Sequence, residues 1–271
     1  MSRSASSSSR GIAGWNDHLS DGKAPEMVSI CVSSHRLKQR RNLDLRISPS
    51  PEEGTYIKNL DGTNPVNQMF GAAFQCSHVV ARAHEEVLKA DGTPASVTRL
   101  EKVVTEIRTF DTTLVRLFRS CVTVSPTDRC FTEAEAQSQW LMYCPTYRAM
   151  AMWIFLKASR IIIHQLRLEC LEKLLASRTE ASESLAVITD SSDAIILAVN
   201  YMTDSPNPSS RTPPSRGPKN IGGYYLLWPL HTVVECKPLD KARQGRARDA
   251  LLRIGDRMCL NHALEIAKAV E

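Results

Sequence analysis

One stretch of the chain limits the fold more than any other: residues 147–178 contain neither glycine nor proline. Apolar residues recur through it every seven positions, and charged residues follow a second line at helical spacing. These are the patterns of an amphipathic helix, which at 1.5 Å per residue would be about 45 Å long. Its first turns, 149–156, are apolar on every side, which indicates several neighbours. The sequence therefore predicts a long helix at the centre of a helical domain.

The two lines of this helix have different character. The apolar line consists of Ile154, Ile161, Leu168 and Leu175. The polar line consists of Lys157, Arg160, His164 and Arg167. For His164, which lies on the polar line, we expect a solvated or capping role rather than metal ligation.

The other apolar patterns of the chain are also helical, and strands are nearly absent from them. They predict helices over 72–89, 96–120, 132–143, 183–202 and 240–270, together with an apolar segment over 222–236. Ser96 is a candidate N-cap for the second of these helices, and Ser191-Ser192 and Gly255 are candidate breaks in later ones. The predicted fold class is all-α: an irregular antiparallel array of helices around the long central helix.

Two regions of the sequence predict disorder rather than helix. Residues 1–64 are rich in serine and carry few sustained apolar patterns, so burial there cannot offset the entropy lost on ordering. Residues 204–220 contain five prolines and almost no apolar side chain, which predicts an extended, mobile loop. We therefore expect a disordered basic tail over 1–64 and one helical domain over 65–271.

Composition and motif spacing exclude several classes of function. The beginning of the chain lacks the apolar segment of a secretory signal, and the longest apolar run, 149–156, is too short to span a bilayer. A soluble, intracellular protein is expected. The eight cysteines include no C-x-x-C pair, which argues against a zinc cluster and favours reduced, buried thiols. The seven histidines make no H-E-x-x-H pattern. We expect no catalytic residue, no metal and no cofactor.

A short basic cluster lies in the predicted tail. It consists of Arg36, Lys38, Arg40 and Arg41. Such a cluster is typical of a nuclear import signal or of a patch that contacts phosphates. It is equally a pattern of a solvated basic loop. The net charge of the chain, +5, is too small for the concentrated footprint of a DNA-binding module.

An aromatic and apolar patch, 222–230 (GGYYLLWPL), has two interpretations. It is a buried helix that packs in the core, or it is the wall of a ligand pocket in which tyrosine hydroxyls act as polar groups. The candidate wall residues are Tyr224, Tyr225 and Trp228. The sequence does not separate these interpretations.

The order of several segments resembles the C-terminal regulatory region of fungal Zn2Cys6 (zinc binuclear cluster) transcription factor-like proteins. The segments are Tyr147-Arg148, 160–164 (RIIIH), 193–201 (DAIILAVNY), 222–230 (GGYYLLWPL), 249–255 (DALLRIG) and 260–264 (LNHAL). The resemblance covers about residues 97–268. The chain departs from the family in lacking its six-cysteine DNA-binding cluster. Asn200 also replaces a usual proline, and Cys259-Leu260 replaces Gly-Ile.

The resemblance implies a transcriptional regulator-like helical effector module in the nucleus. It would act through protein partners of the transcription machinery or as a homodimer. It would bind no specific DNA sequence by itself, because no thiolate set is present to hold a recognition helix. The missing cluster implies a divergent copy or a gene model that has lost its first exon. The alternative function is a non-enzymatic cytosolic scaffold or small-ligand binding protein that derives from the same fold.

Overall fold

The computed structural model of the chain describes residues 65–122, 147–175, 178–203 and 220–268. Within these ranges the chain forms seven α-helices and no strand, which confirms the all-α class. They are α1 (Pro65–Leu88), α2 (Pro94–Val122), α3 (Tyr147–Lys173), α4 (Arg178–Thr203), α5 (Asn220–Val234), α6 (Lys241–Met258) and α7 (Asn261–Lys268). The predicted disordered tail 1–64, the helix predicted over 132–143 and the proline-rich residues 204–219 lie outside the described ranges.

Helix α3 is the centre of the array, as its sequence predicted, but it ends at Lys173 rather than at residue 178. Leu175 of the predicted apolar line lies in the turn beyond it, with a left-handed φ of 50°, and is 93% exposed. Helix α3 packs against α1, α2, α4 and α5, and every side chain from Met150 to Ser159 is buried. This follows from its first turns, which are apolar all round, because covering apolar surface on every side removes it from water and is favourable. Helix α6 packs on α4 and α5, and α7 packs mainly on α6. The core therefore has two halves, α1–α2 and α4–α7, that meet on α3.

The start of α2 differs from the prediction that Ser96 caps it. The helix begins at Pro94, and the hydroxyl of Thr93 accepts a hydrogen bond from the backbone N–H of Ser96 at 3.3 Å. Thr93 is therefore the capping residue, and proline fits the first helical position because it has no N–H to satisfy. Gly92, with φ of +76°, makes the turn that precedes it. Hydrogen bonds from the Thr93 side chain and backbone lower the pKa of Asp91 to about 2.

The predicted break at Gly255 is wrong, because the chain breaks four residues later. Asp240 caps the start of α6, accepting from the N–H of Arg243 at 2.8 Å. The helix ends at Cys259, which has the left-handed φ of 53° that stops a helix. Gly255 lies inside α6, where a Cβ atom would overlap the side chain of Leu264 on α7. The glycine therefore permits close packing of the two helices.

The predicted break at Ser191-Ser192 is also wrong. Helix α4 continues through both residues, which are buried, and the Ser192 hydroxyl donates to the carbonyl of Ile188 at 2.8 Å. Small side chains of this kind can lie inside a packed helix when their hydroxyls bond to its own backbone. By length and composition, α4 could cross a membrane. In the fold it packs against α3, α5 and α6, as a core helix does.

Candidate functional site

The polar line of α3 is enclosed by protein, which corrects the solvated role expected for His164. Lys157, His164 and Arg167 are each at most 4% exposed, and Arg160 is partly buried. The reason is that α2 and α4 both pack against α3 and bring carboxylate and hydroxyl groups to Arg160, His164 and Arg167, while the Lys157 ammonium lies 5.5 Å from the centroid of the Trp153 ring. Buried charges occur in proteins when they are paired in this way.

On the α2 side, the partner is Asp111. Its carboxylate accepts two hydrogen bonds from the guanidinium of Arg160, from Nε at 2.6 Å and from Nη2 at 2.9 Å. This is the two-pronged geometry in which arginine binds carboxylates most strongly. The second carboxylate oxygen of Asp111 also lies 3.5 Å from Nε2 of His164. One acidic group therefore joins two successive turns of α3 to α2.

On the α4 side, the partners are Ser184 and Glu183. The Ser184 hydroxyl oxygen accepts a hydrogen bond from Nη1 of Arg167 at 3.1 Å and lies 3.3 Å from Nδ1 of His164. Nη2 of Arg167 donates to the Glu183 carboxylate at 3.2 Å. We call these six residues the polar cluster. They are Asp111, Arg160, His164, Arg167, Glu183 and Ser184.

One arrangement of hydrogens satisfies the contacts of His164. Arginine can only donate, so the Ser184 oxygen accepts from Arg167 and its own hydrogen is available for Nδ1 of His164. The other ring nitrogen, Nε2, then carries a hydrogen that faces Asp111. Towards α2 the ring only approaches, with Nε2 of His164 at the longer distance of 3.5 Å from Asp111. Together with the two Arg160–Asp111 hydrogen bonds, these contacts fix the relative positions of three helices more specifically than apolar contact does.

The polar cluster shifts the titration of its carboxylate. Burial raises the pKa of Asp111, but hydrogen bonds from His164 and Arg160 and the charge of Arg160 lower it by more. The net result is a pKa well below the ordinary value. The carboxylate is therefore held in its charged form at neutral pH, which is the form that the two arginine bonds require.

Asp111, His164 and Ser184 have the residue types of a hydrolytic triad, but their surroundings do not suit that chemistry. A nucleophilic serine must reach a substrate carbonyl, whereas Ser184 is 0% exposed and His164 only 3%. The serine oxygen is also held by Arg167. Among the described residues, no group of three or more histidine, cysteine or acidic side chains is placed to hold a metal ion. The polar cluster is suited to holding helices together.

Sequence reasoning missed three members of the polar cluster, Asp111, Glu183 and Ser184, and the positions of two of them carry a signal. Asp111 lies on the core face of α2, four residues after Ile107 and three before Leu114, which are both buried. Ser184 likewise precedes the buried Ile188 on α4 by four residues. A carboxylate or hydroxyl at a core-facing position needs a partner. It therefore indicates a complementary polar group on the neighbouring helix.

The aromatic and apolar patch at 222–230 forms the junction of α5 with the rest of the fold. Gly222 faces the carbonyl oxygen of Met202, at the end of α4, and Gly223 faces the sulfur of Met258, on α6. A Cβ atom at either position would overlap those atoms. The two glycines therefore set how closely α5 approaches its neighbours.

The three aromatic residues of this patch have different environments. Trp228 is buried and its ring lies 4.7 Å from that of Phe155, centroid to centroid. Tyr225 is partly buried, whereas Tyr224 is 51% exposed. The structure therefore places Trp228 in the core. A cleft lies between α4 and α6, and none of the three aromatic residues lines it, so they do not form a shared pocket wall there.

The cleft between α4 and α6 is small. Its walls are Val199, Asn200, Thr203, Arg253, Ile254, Arg257 and Met258. Its free volume is about 10 Å³, close to the space that one water molecule requires. Ligand pockets for small molecules are far larger. The cleft does not have the room for a small organic ligand.

The remaining sequence predictions concern charges and thiols. Arg36, Lys38, Arg40 and Arg41 lie outside the described residues. Cys76, Cys170 and Cys236 are buried, and burial raises the pKa of each thiol to about 12, so they are unreactive at neutral pH. Cys259 was expected to be buried but is exposed, because it occupies the left-handed turn between α6 and α7.

No family model, curated protein or solved structure matches the chain. The resemblance to fungal zinc-cluster factors therefore stays a prediction from the motif residues. Arg160 and His164 of the R-I-x-x-H segment belong to the polar cluster, and Gly222 and Gly223 belong to the α5 junction.

Proposed function

We propose that this chain is a helical regulatory module that acts on transcription through contacts with other proteins. The observation that carries the proposal is the position of the motif residues that it shares with the fungal zinc-cluster factors. Arg160 and His164 join α3 to α2 and α4, and Gly222 and Gly223 fit α5 against α4 and α6. These residues serve the architecture of the domain, as expected for a module that presents surfaces rather than performs chemistry.

The environment of the polar residues supports this proposal over an enzyme. His164, Arg167 and Ser184 of the polar cluster are buried, Ser184 is held by Arg167, and the Asp111 carboxylate is paired with Arg160 at two contacts. The small volume of the α4–α6 cleft favours the regulatory module over the small-ligand alternative. We propose the nucleus as its location, with the basic cluster at 36–41 as the import signal.

A tethering experiment tests the proposed function. The whole chain is fused to an unrelated DNA-binding domain in a fungal cell that carries two reporters, one silent and one already active. We expect the fusion to change at least one reporter several-fold relative to the DNA-binding domain alone. The Gly222→Ala variant, which disturbs the α5 junction, should reduce this effect, whereas Gly245→Ala should retain it. If neither reporter responds to a stably expressed fusion, the proposal is wrong.

The chain by itself is expected to bind DNA weakly and without sequence preference. Four basic residues at 36–41 that neutralise about four phosphates would give a slope of about −4 in log K against log salt. Phosphate contacts carry no sequence information. The measurement is a titration of the 271-residue protein against random and selected duplexes, with and without zinc.

In that titration, replacing Arg40 and Arg41 by alanine should remove most of the binding. Exposed Lys102 and Arg116 on α2 provide a matched pair whose replacement should have less effect. A sequence-specific dissociation constant at or below about 10⁻⁸ M, which is typical of specific binders, would contradict the prediction.

A further inference from the structure

We infer that the exposed arginine stripe of α6 is a docking surface for an acidic segment of a partner protein. The inference deepens the proposed function by naming the surface and the chemistry of the partner, and it depends on that function only for the partner's biological role. The stripe consists of Arg246, Arg253 and Arg257, which are all exposed.

The stripe follows from the spacing of these residues along the helix. Positions seven and eleven residues apart fall on one helical face at 3.6 residues per turn. From Arg246 to Arg257 the stripe is therefore about 16 Å long at 1.5 Å per residue. Arg253 and Arg257 lie at its end and line the cleft against α4. A ligand on the stripe would thus contact α6 and the last turn of α4 together.

The charge of α6 is unbalanced on this side of the domain. The helix carries Lys241 and five arginines but only two acidic residues, Asp249 and Asp256. Arg243 and Arg248 have structural roles: Arg243 pairs with Asp193 at 2.9 Å and with Asp240, and Arg248 donates to the carbonyl of Ala267 at 3.0 Å. The three stripe arginines are exposed, although Arg246 and Arg257 also make contacts within the fold.

The stripe also retains hydrogen-bond donors for a partner. Arg246 contacts Asp193 through Nη2 at 3.1 Å, but its side chain is 55% exposed and a guanidinium has five N–H donors. Arginine forms two-pronged bonds with carboxylates. On the polar side of the cleft, Asn200 and Thr203 add side chains that can bond to a peptide. An acidic peptide segment supplies the complementary groups.

The flanks of the stripe favour a protein partner over a nucleic acid. Asp249 lies three residues after Arg246 and four before Arg253, and Asp256 lies three residues after Arg253, so both carboxylates stand directly beside the stripe. A nucleic acid strand carries a phosphate about every 3.4 Å, so some of its charges would face these carboxylates. A peptide can place its acidic side chains only opposite the arginines. The cleft is too small to admit a side chain, so recognition would depend on charge at the surface.

The test is a binding titration of the full chain by fluorescence anisotropy. The probe is a synthetic helical peptide of about 20 residues with glutamates on one face, spaced four and seven residues apart to match the stripe. A second peptide has glutamine in place of each glutamate. We expect the acidic peptide to bind at least about tenfold more tightly than the neutral one, and less tightly as salt increases, because the contacts are exposed charges.

Two double variants locate the binding surface. Arg253→Glu with Arg257→Glu should weaken binding of the acidic peptide by about tenfold or more. Lys241→Glu with Lys268→Glu makes the same change in net charge at exposed positions away from the stripe, and should change binding by less than about threefold. Circular dichroism of each variant checks that the helices remain. Equal losses in the two variants would overturn the inference, because they would indicate attraction by net charge alone.

Two further outcomes would also overturn it. One is the absence of binding by the acidic peptide at low salt. The other outcome concerns DNA. If a DNA duplex displaces the peptide, and if Arg253→Glu with Arg257→Glu weakens DNA binding as much as peptide binding, the stripe is a nucleic-acid surface.

The tethering experiment is independent of this titration. If the fusion changes neither reporter but the peptide still binds, the transcriptional role is rejected and the docking surface is retained. If the fusion changes a reporter but the peptide does not bind, the docking surface is rejected and the transcriptional role is retained.

Discussion

Replacing Asp111 by alanine is expected to lower the free energy of unfolding by about 3 kcal/mol. The carboxylate is the acceptor for both prongs of Arg160, at 2.6 and 2.9 Å, and faces His164. Without it, the guanidinium remains at 12% exposure without its counter-charge. The expected loss of unfolding free energy is at the lower end of the range for broken buried ion pairs, because both side chains retain some contact with water. Urea unfolding followed by circular dichroism measures it.

The same substitution should change how stability depends on pH. The pKa of Asp111 is lower in the folded protein than the ordinary value of about 3.9 in an unfolded chain. Its ionisation therefore stabilises the fold above about pH 4, and this stabilisation is lost as the pH falls through the folded pKa. The difference in unfolding free energy between the wild-type protein and Asp111→Ala should be constant near neutral pH and should shrink below about pH 4.

Asp190 provides the control for this experiment. It is an exposed aspartate on α4, and Asp190→Ala removes the same charge without touching the polar cluster. Its unfolding free energy should stay within about 0.5 kcal/mol of the wild-type value. If the two alanine variants were equally stable at pH 7, the polar cluster would contribute no stability and the structural assignment would be wrong.

Replacing Gly222 by alanine is expected to destabilise the protein by about 1–3 kcal/mol. The added methyl group would overlap the backbone carbonyl oxygen of Met202 and would lie 3.1 Å from its carbonyl carbon. A flexible side chain could move aside, but a backbone carbonyl at the end of α4 cannot move alone. Helix α5 would therefore shift away from α4. The thermal unfolding midpoint and the unfolding free energy both measure this effect.

Gly245 provides the control, because replacing it by alanine is expected to stabilise the protein rather than destabilise it. Gly245 lies inside α6, and a Cβ atom at that position meets no atom within 4 Å. Alanine loses less backbone entropy in a helix than glycine does, so Gly245→Ala should stabilise by about 0.5–1 kcal/mol. A Gly222→Ala variant as stable as Gly245→Ala would show that α5 does not pack closely against Met202.

Some of the fold could be predicted from local sequence. The absence of glycine and proline over 147–178 and the apolar turns at 149–156 determined that α3 is long and central, because a helix that is apolar all round must be covered on all sides. Helix ends were less accurate. Thr93 rather than Ser96 caps α2, and Cys259 rather than Gly255 ends α6, because several residues near an end can cap it and packing selects among them.

The sequence by itself determined which segments are helical and which of their faces are apolar, since both depend on periodicity within one segment. Only the tertiary structure decided the environment of the polar line on α3. Arg160 lies 49 positions after its partner Asp111, and Arg167 lies 17 positions before its partner Ser184, so no local pattern records their pairing. The same holds for the glycines. Gly222 and Gly255 limit the approach of other helices, whereas a Cβ atom at Gly245 would meet no atom within 4 Å, and this difference exists only once the helices have packed.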